Sequence, residues 1–382
     1  SWPPELAAVD LHTTPSLIFS SSARQALLTT MNKSVRFCQD MLRKSDHDYW
    51  LMGLLLPQRA RGGFYAIRAF NVETATIIDS ARGKVLPAQV RLQWWRDNMQ
   101  KIYDGGDVQS GSPVLASLAD AVRTHGLSRR WFDRVIEARE RDLTDGQHQP
   151  ASMADLERYC SDTATSMVLL SLECLRPSTQ QQQQQQQQQP SVGGEPSIDW
   201  LTEVAEDLAA QHVGQAVGLC TLLRGTAFHA ARGDLYLPED LLQRHGARAR
   251  SFLEDPAAAP LEDGQRDSCR GAVREVAELA GQHLDAASAL CDGRLPTGGS
   301  MVSSAGPPVA STGDGGDGKA RGSKYYGGYA HSSALTSAIR AGGRVPQETM
   351  AAFLPAVRSR SYLSALAECS YDLHHPRLWP FP

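Results

Sequence analysis

The stretch Leu219–Pro238, LCTLLRGTAFHAARGDLYLP, joins an apolar run to a polar segment that ends in Tyr-Leu-Pro. Leu219 and Leu223 recur at helical spacing, which predicts one buried helix face. Arg224 then begins a run that includes further basic and aromatic residues, and Gly233 supplies the break that ends it. The stretch therefore predicts a buried helix that leads into a basic turn.

The rest of the chain shows the same helical spacing of apolar residues. Ser45 or Asp46 is predicted to cap the second helix, and Pro355 is predicted to kink or split the last one. No alternating pattern predicts a strand and no internal repeat is found, so the predicted fold class is all-α. The predicted helices are Ala23–Leu42, Tyr49–Leu56, Ala60–Asp79, Pro87–Gly105, Val114–Thr124, Arg129–Leu143, Ala154–Leu175, Ile198–Leu223, Glu239–His245, Val273–Leu290 and Val345–Ala367.

The composition of the 382 residues limits the classes of partner and site. A net charge of −4 and a pI of about 6.3 give no indication of a nucleic-acid partner. No apolar run reaches the roughly 18 to 20 residues of a membrane-spanning helix. Seven widely spaced cysteines without a Cys-x-x-Cys pair predict neither a disulfide framework nor a zinc site, and they fit a reducing compartment.

Three segments are predicted to lie outside the helical core. Residues 1–20 are predicted to be disordered or the remnant of a presequence. Residues 177–197 contain ten consecutive glutamines, and residues 293–332 are rich in glycine and serine, so neither segment can bury much apolar surface. For the glutamine run, a tolerated loop expansion is favoured over an activation or aggregation role. The prediction is one domain over residues 21–382 with two disordered insertions.

The N-terminal region is basic. From Leu11 to Gln39 the chain carries Arg24, Lys33 and Arg36, many serines and threonines, and no acidic residue. This composition is typical of the end of an organelle transit peptide, and an ordinary basic first helix is the alternative.

The opening stretch resembles the second signature of the squalene/phytoene synthase family. In that family an Arg-Asp-x-x-x-Asp segment is followed by Arg-Gly-x-x-Tyr-Leu-Pro. Gly225 and His229 stand at the positions of the two aspartates. The residues that match are Gly214, Ala216, Leu222, Leu223, Arg224, Arg232, Gly233, Tyr236, Leu237 and Pro238.

The segment Phe64–Asp79, FYAIRAFNVETATIID, resembles the first signature of the same family. Carboxylates four residues apart lie on one helix face, where two such pairs hold the Mg²⁺ ions that bind a prenyl diphosphate. Ala75 and Thr76 stand at the positions of the leading aspartates, and Asp79 remains. Since Mg²⁺ requires oxygen ligands, the resemblance predicts no metal site and no cofactor here.

The surviving polar residues of both signatures are Asp79, Arg224, His229, Arg232 and Tyr236, and the resemblance implies that they form a vestigial prenyl-diphosphate pocket. The two arginines and the tyrosine can contact an anionic group, because arginine offers a fixed fork of donors. The alternatives are an internal helix-end partner for Arg224, a buried hydroxyl for Tyr236 and a structural role for His229. Asp79 is interpreted as a capping or ion-pair residue, and no catalytic residue is predicted.

The segment Val85–Asp97, VLPAQVRLQWWRD, is similar to an Arg-Leu-x-Trp-Trp-Arg-Asp stretch of a divergent, non-catalytic branch of the family. That branch includes a mitochondrial assembly factor for respiratory complex I. The resemblance implies an isoprenoid-synthase-like domain around a central cavity and a pseudoenzyme that binds complex I subunits or assembly intermediates. It also implies a peripheral location on the matrix side of the mitochondrial inner membrane.

Two other functions remain open at this point. One is an Mg²⁺-dependent prenyl transferase that condenses or binds prenyl diphosphates. The other is a module that binds a lipid or prenyl ligand in the cavity without chemistry, which is compatible with an assembly role.

Overall fold

The computed structural model describes residues 21–81, 84–106, 108, 111–144, 149–176, 198–253, 262–294 and 345–378, with side chains except at 21–32, 79, 144 and 198–201. Regular structure in these ranges is helical, and no strand is found in them, as the all-α prediction requires. The segments predicted as disordered, residues 1–20 and 177–197, lie outside these ranges, and so does 293–332 apart from its first two residues. None of the described helices is long and apolar enough to cross a bilayer.

Fourteen α-helices are described, together with short π and 3₁₀ turns. Their bounds are α1 Ser21–Ser45, α2 His47–Leu55, α3 Gln58–Ala75, α4 Ile77–Ser80, α5 Val85–Tyr103, α6 Pro113–His125, α7 Arg129–Thr144, α8 Met153–Cys160, α9 Ser166–Leu175, α10 Ile198–Ala230, α11 Glu239–His245, α12 Arg250–Leu253, α13 Asp263–Cys291 and α14 Leu354–Glu368. A π turn, Ser161–Thr165, joins α8 to α9, and 3₁₀ turns lie at Met350–Phe353 and Pro376–Leu378.

Several helix ends agree with the sequence pattern and others do not. Pro355 stands in the first turn of α14, so the predicted split is confirmed. The helix predicted to end at Leu223 continues to Ala230 and carries the signature residues on its last two turns. Asp46 is the N-cap residue of α2, as predicted, but its side chain makes no capping hydrogen bond because its carboxylate accepts from Arg68 instead.

The two long helices α10 and α13 pack along each other and connect two hydrophobic clusters. The larger cluster contains the fully buried Tyr65, Phe70 and Phe132 and draws on α1 to α7 and α9. The smaller one gathers residues of α8 and α10 to α14. Burial of one such phenylalanine contributes about 2 to 3 kcal/mol to the free energy of unfolding. These clusters hold the helices that surround the cavity.

One glycine allows α10 to pass close to the turn between α8 and α9. A Cβ atom at Gly214 would lie 2.5 Å from Oγ1 of Thr165 and against its backbone Cα. Because that neighbour is backbone, a side chain could be accommodated only by moving the two elements apart. Gly214 therefore sets the distance between α10 and the π turn.

Candidate functional site

A cavity of about 480 Å³ lies between α2, α3, α7, α8, α9, α10 and α14. Its described wall contains five arginines and three aspartates, so positive charges exceed negative ones by two. The charged residues are Arg68, Arg139, Arg224, Arg232, Arg358, Asp46, Asp142 and Asp234. Apolar side chains of α3, α9 and α10, including Phe64, Met167 and Val217, complete the wall. An excess of positive charge beside apolar side chains suits an elongated ligand with an anionic head.

Four of the five residues predicted for the pocket line this cavity: Arg224, His229, Arg232 and Tyr236. Arg224 and His229 lie on the last two turns of α10, and Tyr236 follows the break at Gly233, which has a φ of 86°. Glycine tolerates that conformation without a steric penalty, so the chain can turn and bring Tyr236 back beside the helix. Asp79 lies on α4, and its side chain is outside the described residues.

The imidazole of His229 packs against a glycine one turn earlier on α10. A Cβ atom at Gly225 would lie 3.1 Å from both Cδ2 and Nε2 of His229. The ring of Tyr236 meets the same imidazole edge-on, with centroids 4.8 Å apart. Gly225 and His229 thus complement each other in shape, and they occupy the two positions at which the resembled signature carries aspartates.

Arg224 is half-buried and approaches the N-terminal turn of α2. Burial raises the pKa of Asp48, and the positive charge of Arg224 opposes that shift. Asp48 also forms an ion pair with Arg358 of α14. Arg232 lies 4.0 Å from the ring centroid of Phe228, a cation–π contact on an exposed edge of the cavity.

A second polar cluster in the cavity wall was missed by the sequence reasoning. The hydroxyl of Tyr159 accepts a hydrogen bond from Arg139 and donates one to Asp142 over 3.0 Å. The ring of Tyr236 stacks at 5.7 Å from that of Tyr159. Burial raises the pKa of both tyrosines, so both stay neutral hydrogen-bonding groups near pH 7. The i, i+3 spacing of Arg139 and Asp142 on α7 was the available signal.

A third cluster lies across the cavity and was also missed. Arg68 of α3 is buried and donates to Asp46 over 2.5 Å. Its guanidinium also stands 3.4 Å from the ring centroid of Tyr49. These contacts connect α2 to α3 and fix one side of the cavity.

The first signature is interrupted where its leading carboxylates were expected. Ala75 and Thr76 both line the cavity, and Thr76 stands in the break between α3 and α4. Glu73 is not among the residues of the wall; burial raises its pKa and Arg91 opposes the shift. Neither Ala75 nor Thr76 offers the anionic oxygen that Mg²⁺ requires.

Among the side chains that the structure describes, the donor set of the cavity does not fit the Mg²⁺ ions that the fold family implies. Asp46 is held by Arg68, and Asp142 by Tyr159 and Arg139. In the ranges that the structure describes, no group of three or more histidine, cysteine, aspartate or glutamate residues is arranged to hold a metal ion. The arginine forks and neutral hydroxyls suit an anion instead.

Comparison with known proteins connects this architecture to a family. The profile of the squalene/phytoene synthase family matches residues 42–306. "NADH dehydrogenase (ubiquinone) complex I, assembly factor 6" of Bos taurus is 33% identical over 249 residues, which span 65% of this chain and 64% of the relative. "Presqualene diphosphate synthase" of Rhodopseudomonas palustris is 28% identical over 59% of this chain and 69% of the relative.

A solved structure supports the same fold. The squalene synthase of Alicyclobacillus acidocaldarius superposes with a TM-score of 0.59 and 16% identity, covering 90% of this chain and 97% of that one. Likeness at this level of identity concerns the fold alone. The predicted isoprenoid-synthase-like arrangement around a central cavity is confirmed.

Proposed function

Because this chain belongs to the squalene/phytoene synthase family, we propose that it is a non-catalytic member that acts as an assembly factor for mitochondrial respiratory complex I. The bovine relative is named as such a factor, and this chain spans just under two thirds of its length. The role would be exercised by binding complex I subunits or assembly intermediates. A location on the matrix side of the inner membrane, attached peripherally, belongs to the same proposal, as does a single domain over residues 21–382 with two insertions.

The observation that carries the proposal is the pairing of Gly225 with His229 on the cavity wall. The imidazole fills the space above the glycine, so this turn of α10 presents a packed ring where the family signature has two carboxylates. Ala75 and Thr76, which also line the cavity, support the same conclusion. An Mg²⁺-dependent ionisation of a prenyl diphosphate requires those oxygen ligands.

The charge of the cavity favours a retained ligand without chemistry. We propose that Asp79, Arg224, His229, Arg232 and Tyr236 are the remnant of a prenyl-diphosphate pocket. The excess of arginine over aspartate in the wall and the apolar interior favour an anionic lipid or prenyl compound as occupant. Such a ligand would stabilise the fold on which the assembly role depends.

The decisive experiment depletes the protein and measures each respiratory complex on native gels, with prenyl lipids profiled in the same cells. We expect selective loss of complex I and an unchanged isoprenoid pool, restored by re-expression of the full chain. Intact complex I with an altered prenyl pool would overturn the assembly role. Purified protein mixed with a prenyl diphosphate should release no diphosphate when Mg²⁺ is added, and turnover there would overturn the non-catalytic assignment.

A further inference from the structure

Four apolar side chains on the first half of α5 point away from the protein. Val85, Leu86, Val90 and Trp94 are 47%, 71%, 62% and 39% exposed, and we call them the α5 stripe. At about 100° per residue, the last three fall within about 80° of one another, so they form one ridge over two turns. Single exposed apolar residues are common, whereas apolar side chains that adjoin one another on the surface are a feature of interaction sites.

The opposite face of α5 is already occupied. Ala88, Leu92 and Trp95 are buried, and the helix packs on α6 and α7. The ring of Trp94 meets that of Trp95 edge-on at 5.1 Å, which holds the exposed indole in place. Packing in the protein core therefore does not explain why the stripe is apolar, because the opposite face of α5 makes the core contacts.

The surroundings of the stripe are basic. Residues 80–96 contain four arginine or lysine residues and no acidic one, and the exposed Asp97, which accepts a hydrogen bond from Gln93, is the first acid after them on α5. Lys84 and Arg91 are exposed beside the stripe, and Arg91 donates to the hydroxyl of Ser80. Arg96 is engaged by Glu140 over 2.5 Å. An apolar ridge with two exposed positive charges is complementary to a surface that is anionic outside and apolar beneath.

We propose that the α5 stripe docks this protein on an anionic bilayer surface. Leu86, Val90 and Trp94 enter the boundary between headgroups and acyl chains, and Lys84 and Arg91 contact lipid phosphates. An exposed apolar ridge with tryptophan and flanking basic residues has the features of an interfacial helix. The inference rests on the peripheral attachment in the proposed function, and it adds the surface and the class of lipid.

Flotation of the purified full-length protein with lipid vesicles tests the apolar contact. We expect binding to phosphatidylcholine vesicles that contain phosphatidylglycerol or cardiolipin, and little binding to phosphatidylcholine alone. The triple variant Leu86→Ser, Val90→Ser, Trp94→Ser should lose this binding. Phe37 and Val357 are 44% and 66% exposed on α1 and α14, so Phe37→Ser with Val357→Ser is the control and should bind as the native chain does.

The charge contribution is tested separately. Lys84→Gln and Arg91→Gln should each weaken binding to anionic vesicles about fivefold, and added salt should weaken native binding as well. Lys44→Gln with Arg248→Gln removes two exposed charges elsewhere and should have little effect. Circular dichroism and thermal melting check that every variant is folded, which matters most for the triple variant because Trp94 is 39% exposed and packs on Trp95.

Unchanged vesicle binding of the triple variant, equal binding to neutral and anionic vesicles, or equal losses in the control variants would each overturn the proposal. Absence of native vesicle binding, with complex I rescue lost in the triple variant, would assign the stripe to a protein partner and also overturn it. Vesicle binding does not require complex I, so failure here is distinguishable from failure of the assembly role, which the depletion experiment measures.

Discussion

Helix α10 serves two different environments along its length. Its inner half, residues 205–216, lies in the protein interior, where Nδ1 of His212 is 2.8 Å from Nδ1 of His283 on α13. Its cavity half, residues 217–230, carries a second histidine, His229, which is half-buried against Gly225 and Tyr236. His212 and His229 therefore lie on the same helix in different surroundings: His212 is buried against another helix, and His229 faces the cavity.

The two halves of α10 differ in the groups that satisfy their polar side chains. In the inner half, one imidazole must donate to the other, and burial together with the neighbouring His283 lowers the pKa of His212 to about 3. In the cavity half, arginine and tyrosine side chains from α7, α8 and α10 face a space that can hold a ligand. The inner half is therefore closed by packing against other helices, and the cavity half leaves polar side chains facing an open space.

The largest effect is expected from the close approach in the inner half. Gly214→Ala should lower the free energy of unfolding by about 3 kcal/mol, since the new Cβ meets the backbone of Thr165 and separates α10 from the π turn. Urea denaturation with and without the substitution measures this change.

Gly225→Ala is the matched control on the same helix. Its Cβ would meet the movable ring of His229, and alanine favours helix over glycine by about 1 kcal/mol, so the net change should stay within about 1 kcal/mol. Equal losses from the two substitutions would remove the distinction between the halves.

The second largest effect is expected in the pH dependence of the free energy of unfolding. The pKa of His212 falls from 6.5 to about 3 on folding, so the neutral form is stabilised and the unfolded chain binds the proton first. The contribution of His212 to the free energy of unfolding is therefore fully present above pH 6.5 and is lost as the pH falls toward 3. Between pH 7 and pH 5 this group should lower the free energy of unfolding by about 2 kcal/mol.

Urea denaturation at several pH values measures the slope, and His212→Gln provides the comparison. Glutamine retains a side-chain donor toward His283 but does not titrate, so the slope should become shallower even if the variant is less stable. The comparison substitutes only His212. It retains His283, whose Nε2 lies 3.7 Å from Oε1 of Glu157, and all the other histidines. An unaltered slope would contradict the assignment to His212.

The third effect is in the cavity half. Tyr159→Phe removes the hydroxyl shared by Arg139 and Asp142 and should lower the free energy of unfolding by about 1.5 kcal/mol, because both charged groups lose a buried partner. Thermal or urea unfolding measures the loss. Tyr236→Phe keeps the ring contacts to His229 and Tyr159 and should cost roughly half as much. A reversed order would mean that Tyr236 organises the cluster.

The smallest effect is expected at Asp79. Asp79→Ala should leave complex I content unchanged in depleted cells that re-express the chain, because an isolated carboxylate cannot hold an ion cluster. Native-gel quantification of complex I provides the measurement, and the abundance of the variant protein is the control. Loss of complex I with normal abundance of the variant would give this carboxylate a role that the resemblance does not imply.

Periodic apolar spacing predicted nearly every helix. The errors occurred where a helix extends into a polar segment. The segment from Arg224 to His229 was predicted as a turn because it is polar and basic, yet it stays helical to Ala230. The first ten residues of α13 were missed for a related reason: they are mostly polar and include two glycines. Burial by neighbouring helices outweighs intrinsic preference in both segments.

Within the candidate site, the signature residues were found because they are close in sequence. Arg224, His229, Arg232 and Tyr236 fall within one short segment, and the turn at Gly233 returns the last of them to the cavity. Arg68, Arg139 and Tyr159 come from three other helices, and no local spacing relates them to that segment. Their place in the wall follows from long-range packing.

By itself, the sequence determined the helical class, the positions of most helices, the family resemblance and the substitutions Gly225 and His229 in the second signature. Those properties depend on residue identity and on spacing along one helix. The tertiary structure decided that His212 faces His283, that three polar clusters surround one cavity, and that the α5 stripe remains uncovered. Such contacts depend on how α10, α13 and their neighbours cross, and crossing is set by the shapes of many side chains together.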